Sequence, residues 1–196
     1  QNYRDGSYNE QHGHNFEANL NYGYAKNLAI ASALLCPVNS KAFSGIGAAC
    51  YGLGDLTHAL KCYNISFLFT GSVNINFNKG LVYYKMKNYE AAVKEYDAYL
   101  KIYPNELDVS FQKGIALVGN ENKLDANKIF THICEGLKDP NDAREYYILG
   151  YSLECIERYN DALEAINRSL QYDNKYIYAL KLKEHILESL TSQDVG

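Results

Sequence analysis

Glycine recurs along this chain with a period that only a repeated structural unit explains. Gly13, Gly47, Gly80, Gly114 and Gly150 are separated by 34, 33, 34 and 36 residues. Alanine keeps the same phase, because Ala25, Ala59, Ala92, Ala126 and Ala162 each follow a glycine by twelve positions. Two markers holding one register over five periods require a series of like units, since composition alone has no reason to keep phase. A large residue stands three after most of the glycines, as Phe16, Tyr83, Leu117 and Leu153, with Cys50 the small exception. Another stands four after most of the alanines, as Tyr63, Tyr96, Phe130 and Ile166, with Ala29 the exception.

Within each unit, apolar residues recur at intervals of three and four on both sides of a short polar break, the pattern of two amphipathic helices joined by a tight turn. The breaks fall at Gly52–Asp55, Lys87–Asn88, Gly119–Asn122 and Glu157–Arg158. Asn88 is expected to cap the helix that follows it, with Glu90 in the first turn where the helix dipole favours an acid. Pro104 ends that hairpin and Pro37 the one before the Gly47 unit, because proline lacks the N–H that a continuing helix needs. The glycine of one helix facing the alanine of the other lets the pair approach closely, and the bulky neighbours fill the space beside them. Such a hairpin cannot cover its apolar face alone, so successive hairpins must stack.

The spacing of Phe43, Ile46, Gly47, Cys50, Ala59 and Tyr63 resembles the tetratricopeptide repeat. So does that of Gly80, Tyr83, Ala92, Tyr96 and Pro104, and that of Tyr146, Leu149, Gly150, Leu153, Ala162 and Ile166. The resemblance implies an all-α, right-handed α-solenoid of about five helix-turn-helix units in a single domain spanning 1–196. The units run 6–39, 40–72, 73–106, 107–142 and 143–175. The first is degenerate, with Asn9 and His12 where large apolar residues belong, and the fourth carries two extra residues around Leu137–Asn141. An amphipathic helix over about 175–190 is expected to cap the last hairpin.

A formal charge of −4 with no basic block excludes the electrostatics that nucleic acid requires. The chain contains no apolar run long enough for a membrane span. The odd set Cys36, Cys50, Cys62, Cys134 and Cys155 has no CxxC pair and suits free thiols in a reducing compartment. A cytoplasmic location is therefore expected, with a removed targeting segment as the alternative. No metal is expected: His12 and His14 do not complete a ligand set, and His58, His132 and His185 stand apart on helices. The glycines of Gly45–Gly54 lack the strand and the GK[ST] of a phosphate loop, so no cofactor is expected. Asn64-Ile-Ser66 and Asn167-Arg-Ser169 match the glycosylation acceptor but fall within helices. No nucleophile or metalloenzyme motif is present, and the chain is read as not an enzyme.

What remains is a face. Phe77, Phe111 and Tyr147 stand three before repeat glycines, and Leu81, Tyr84, Ile115, Val118 and Tyr151 stand one or four after them. In the geometry that the resemblance implies, these residues line an inner groove suited to a peptide or helix of a protein partner. Members of the family that grip a terminal carboxylate use a set of lysines, asparagines and an arginine. Here only Asn78, Lys41 and Arg144 match it, and Phe77 and Phe111 fill lysine positions, so no carboxylate clamp is expected. A peptide ending in EEVD should show no groove-dependent binding. The alternatives are a chaperone of secreted substrates, since Asn39–Phe43 and the following stretch resemble class II type III secretion chaperones, and a repeat module of a larger multidomain protein. Self-association into a homodimer is the expected complication for a tyrosine-rich solenoid surface.

Overall fold

The computed structural model describes residues 22–24, 26, 27, 30, 31 and 40–193. Most of the unit over 6–39, including Asn9 and His12, lies outside the described residues. Those described between 22 and 31 are helical. From residue 40 the chain is helix after helix: α1 (Ser40–Gly52), α2 (Leu56–Thr70), α3 (Asn74–Lys85), α4 (Tyr89–Leu100), α5 (Leu107–Gly119), α6 (Lys123–Gly136), α7 (Ala143–Cys155), α8 (Tyr159–Tyr172) and α9 (Ile177–Gln193). No strand occurs among the described residues. The fold is an all-α solenoid of helical hairpins, and it divides into two compact units, Gln1–Val109 and Ser110–Gly196.

In the first unit α1 pairs with α2 and α3 with α4, while α2 also packs on α3. The core joins Ile46, Cys50, Ala59, Tyr63, Ile75 and Val82. Tyr22 is buried, and its ring occupies the space beside Gly52. In the second unit α7 pairs with α8, α6 packs on α7, and α9 covers α8. There Leu153, Ala162, Ala165, Ile166, Ala179, Leu182 and Ile186 form the core.

The repeat glycines open room first for a large side chain, and at Gly150 for the facing alanine as well, whose Ala162 carbonyl oxygen would stand 3.3 Å from an added Cβ. A Cβ placed on Gly114 would stand 2.7 Å from the Phe130 ring, one on Gly150 2.6 Å from Ile166, and one on Gly47 2.9 Å from Tyr63. Gly80 is blocked in the same way by Tyr96. The glycine therefore accommodates the large residue that follows the alanine by four, while Ala59, Ala92, Ala126 and Ala162 are themselves fully buried.

The hairpin turns share a device that the polar breaks only hinted at. Gly54, Lys87, Glu121 and Glu157, each seven after a repeat glycine, all take positive φ, at 80°, 59°, 59° and 65°. This left-handed residue reverses the chain, and the next one caps the second helix. Asp55, Asn88 and Asn122 accept the backbone N–H of His58, Ala91 and Asp125. Arg158 holds the same place before α8 and supplies no side-chain cap.

Candidate functional site

α7 carries Tyr147, Tyr151 and Glu154 at intervals of four and three, so one helical face presents all three. α9 presents Tyr178, Lys181 and His185 by the same arithmetic. With Val118 of α5 and Lys123 of α6, these faces bound an open cleft of about 570 Å³ in the second unit.

The floor of the cleft is a run of touching rings. Phe111 lies edge-on to Tyr151 at 5.3 Å and to Tyr147 at 6.1 Å between centroids. Tyr147 continues to Tyr176 at 5.4 Å and to Tyr178 at 6.1 Å. Below, Phe130 meets Tyr151 at 5.8 Å and Phe111 at 6.4 Å. Edge-to-face contacts of this kind add about 0.5–1.5 kcal/mol per pair beyond burial and fix ring orientation. Burial pushes the Tyr176 phenol up to about 12, against a smaller opposing effect of the Arg144 charge.

Glu154, with a side chain only 15% exposed, accepts His185 Nδ1 at 3.0 Å and faces the Cys155 thiol at 3.7 Å. The sequence reads His185 as standing apart, but its partner lies two helices upstream. Thiol, carboxylate and imidazole together invite comparison with an activated nucleophile. The chemistry runs the other way: burial first, and then the Glu154 charge, push the Cys155 thiol up to about 12. It is a protonated thiol at neutral pH, and a thiol is a poor nucleophile.

Of the groove residues expected from sequence, Val118, Tyr147 and Tyr151 line the cleft. Phe111 lies beneath them, only 5% exposed, and supports the floor rather than offering contact surface. Ile115 is half-buried on α5, and Arg144 is exposed in the first turn of α7, two residues beyond the capping Asp142. In the first unit Phe77 is half-buried, with its ring against Tyr96 at 6.1 Å and Tyr99 at 6.2 Å on α4. Tyr84 meets Tyr89 at 5.5 Å, and Asn78 and Leu81 are half-buried between them on α3. Beside this face Glu95 accepts from Asn76 at 2.7 Å and pairs with Lys79 at 2.6 Å.

Sequence reasoning missed Glu154, Tyr178, Lys181 and His185. A signal for them existed: α9 begins 34 residues after α7, so Lys181 repeats the register of Tyr147, and His185 that of Tyr151. Reading α9 only as a cap hid that correspondence.

Paired helices in a repeated register, beside an open cleft with an aromatic floor, define an α-solenoid repeat protein. Residues 73–106 match the family model of the tetratricopeptide repeat. A relative from Methanocaldococcus jannaschii, the TPR repeat-containing protein MJ1428, is 26% identical over 178 residues, 80% of this chain. The chain spans about 30% of the length of that curated relative. Among solved structures, TTC0263, a thermophilic TPR protein of Thermus thermophilus, superposes with a TM-score of 0.67 over 97% of both chains at 14% identity. YrrB, described as a TPR protein with an unusual peptide-binding site, gives a TM-score of 0.55 at 17% identity, covering 93% of this chain and 90% of its own. Residues 73–106 thus carry a tetratricopeptide repeat, and the chain as a whole has the fold of the tetratricopeptide-repeat structures it resembles.

Proposed function

We propose that the chain is a non-enzymatic interaction scaffold that holds a peptide or helix of a protein partner, and that the cleft beneath α7 and α9 is a principal contact. The observation that carries this reading is the ring system of Phe111, Tyr151, Tyr147 and Tyr178, which floors an open cleft instead of closing into a core. Rigid aromatic surface gives large contact area at low entropic cost, which suits the recognition of an extended or helical segment. The peptide-binding description of YrrB supports the same reading. On the first unit, Phe77, Asn78, Leu81 and Tyr84 form a second candidate face, and Arg144 stands in the first turn of α7, the helix that carries Tyr147 and Tyr151.

The test is selection of peptides from a random displayed library, followed by titration against Tyr147→Ala/Tyr178→Ala. Phe111 is spared because truncating a buried ring costs about 3–5 kcal/mol and would confound the result. Loss of affinity by about tenfold or more with an unchanged helical circular dichroism spectrum supports the reading; retained affinity sinks it. A repeat module within a larger protein is a second reading, favoured by the length of the matched archaeal relative.

A further inference from the structure

Within the second unit the cleft changes character from α5 to α9. Positions three before the repeat glycine carry Phe111 and Tyr147, and the corresponding place on α9, three before Glu184, carries Lys181. Positions one after carry Ile115 and Tyr151, and then His185. Aliphatic and aromatic groups thus give way to the Lys181 ammonium and the His185 imidazole as the register reaches the last helix.

The charges in the cleft are not equally available to a ligand. Glu154 is largely covered and already engaged by His185 and Cys155. Lys181 and Lys123 are exposed on the cleft wall and pair with no carboxylate among the described residues. Glu157, exposed in its turn, is the remaining acid. Two open ammonium groups therefore flank an aromatic floor on a chain whose formal charge is −4.

We propose that this cleft selects an acidic partner segment, with an apolar or aromatic anchor on Tyr147 and Tyr151 and neighbouring carboxylate side chains meeting Lys181 and Lys123. The inference rests on the groove reading above and adds the partner's charge and its orientation. A terminal carboxylate is not required, because the lysines lie along the wall of the cleft rather than at a clamp. Complementary charge of this kind sets specificity and association rate more than total affinity, and it weakens with salt.

The experiment uses fluorescence anisotropy with the full chain and three synthetic peptides blocked at both ends, sharing a Leu-Phe-Leu core flanked by Glu, Gln or Lys. The Glu peptide should bind about tenfold tighter than the Lys peptide at low salt, with the difference shrinking as salt rises. Lys123→Glu/Lys181→Glu should invert the order, and Tyr147→Ala should weaken all three alike. Equal binding of the three peptides, preference for Lys, or an order unchanged in the double variant overturns the charge inference and leaves the groove reading standing. No binding of any peptide, or binding indifferent to Tyr147→Ala, overturns both. A single-stranded oligothymidylate that binds as tightly as the Glu peptide marks a general anion surface and also overturns the proposal.

Discussion

Tyr96 shows how one side chain can serve the repeat at a cost. Its ring fills the space that Gly80 leaves open and is fully buried, yet its hydroxyl finds no hydrogen-bond partner. An orphaned buried hydroxyl loses its hydration without compensation, and burial holds its proton far above the ordinary phenol range. Tyr96→Phe should therefore stabilise the protein by about 1 kcal/mol, read as a higher urea midpoint with unchanged slope. Gly80→Ala should do the opposite, because the new methyl meets a ring that cannot move aside. Overpacking of about 1–3 kcal/mol outweighs the gain in helix propensity of about 1 kcal/mol. The sequence marked both residues as structural through their spacing, but not the empty hydroxyl, because a register states which side chains meet and not whether every polar atom is satisfied. At Cys155 the chemistry likewise needs three dimensions. With its thiol pushed up to about 12, it should label far more slowly than an ordinary cysteine with iodoacetamide at neutral pH, followed by mass spectrometry of the labelled peptides.

The helices and their turns were the most legible level, since Asn88 capping α4 follows directly from its place before an apolar run. The left-handed residue at Lys87, Glu121 and Glu157 was not legible, because only Gly54 carries the residue type that advertises it. Of the residues expected to face a groove, Val118, Tyr147 and Tyr151 reach the cleft, whereas Phe111 is covered by the very tyrosines expected to lie beside it. Among the second helices of the hairpins, α8 departs from the capping pattern. Arg158 ion-pairs with Asp161 in the first turn but leaves the backbone N–H groups there without a side-chain acceptor. Arg158→Asn should raise stability by about 0.5–1 kcal/mol, the value of a cap exceeding that of an exposed ion pair. Between α3 and α4 the reverse holds, because Glu95 is the shared acceptor for Asn76 and Lys79 at sites only 13–16% exposed for the ion pair. Glu95→Ala strands a covered cation and should cost about 3 kcal/mol, whereas Glu90→Ala on the exposed face of α4 should leave the denaturation midpoint unchanged.

At the scale of the whole chain, stability in a repeat array is a sum of unit and neighbour terms, so the last element has an influence beyond its own length. α9 places Ala179, Leu182 and Ile186 on Leu153, Ala165 and Ile166, and both Ile166 and Ile186 are fully buried. The register that makes α9 start 34 residues after α7 gives it two roles at once. One face completes the core of the second unit, and the adjacent face carries Tyr178, Lys181 and His185 to the cleft. A chain ending at Asp173 should lose both. Each large apolar side chain uncovered forfeits about 1.5–3 kcal/mol, so α7 and α8 should lose amide protection in hydrogen exchange and bind a hydrophobic dye, while the helices of the first unit keep their protection. Ile186→Ala provides the graded control, with an expected loss of about 2–5 kcal/mol and α9 still in place. If the truncated chain instead keeps full protection in α8, the helix is not part of this core, and the cleft it borders would have to be held by other contacts.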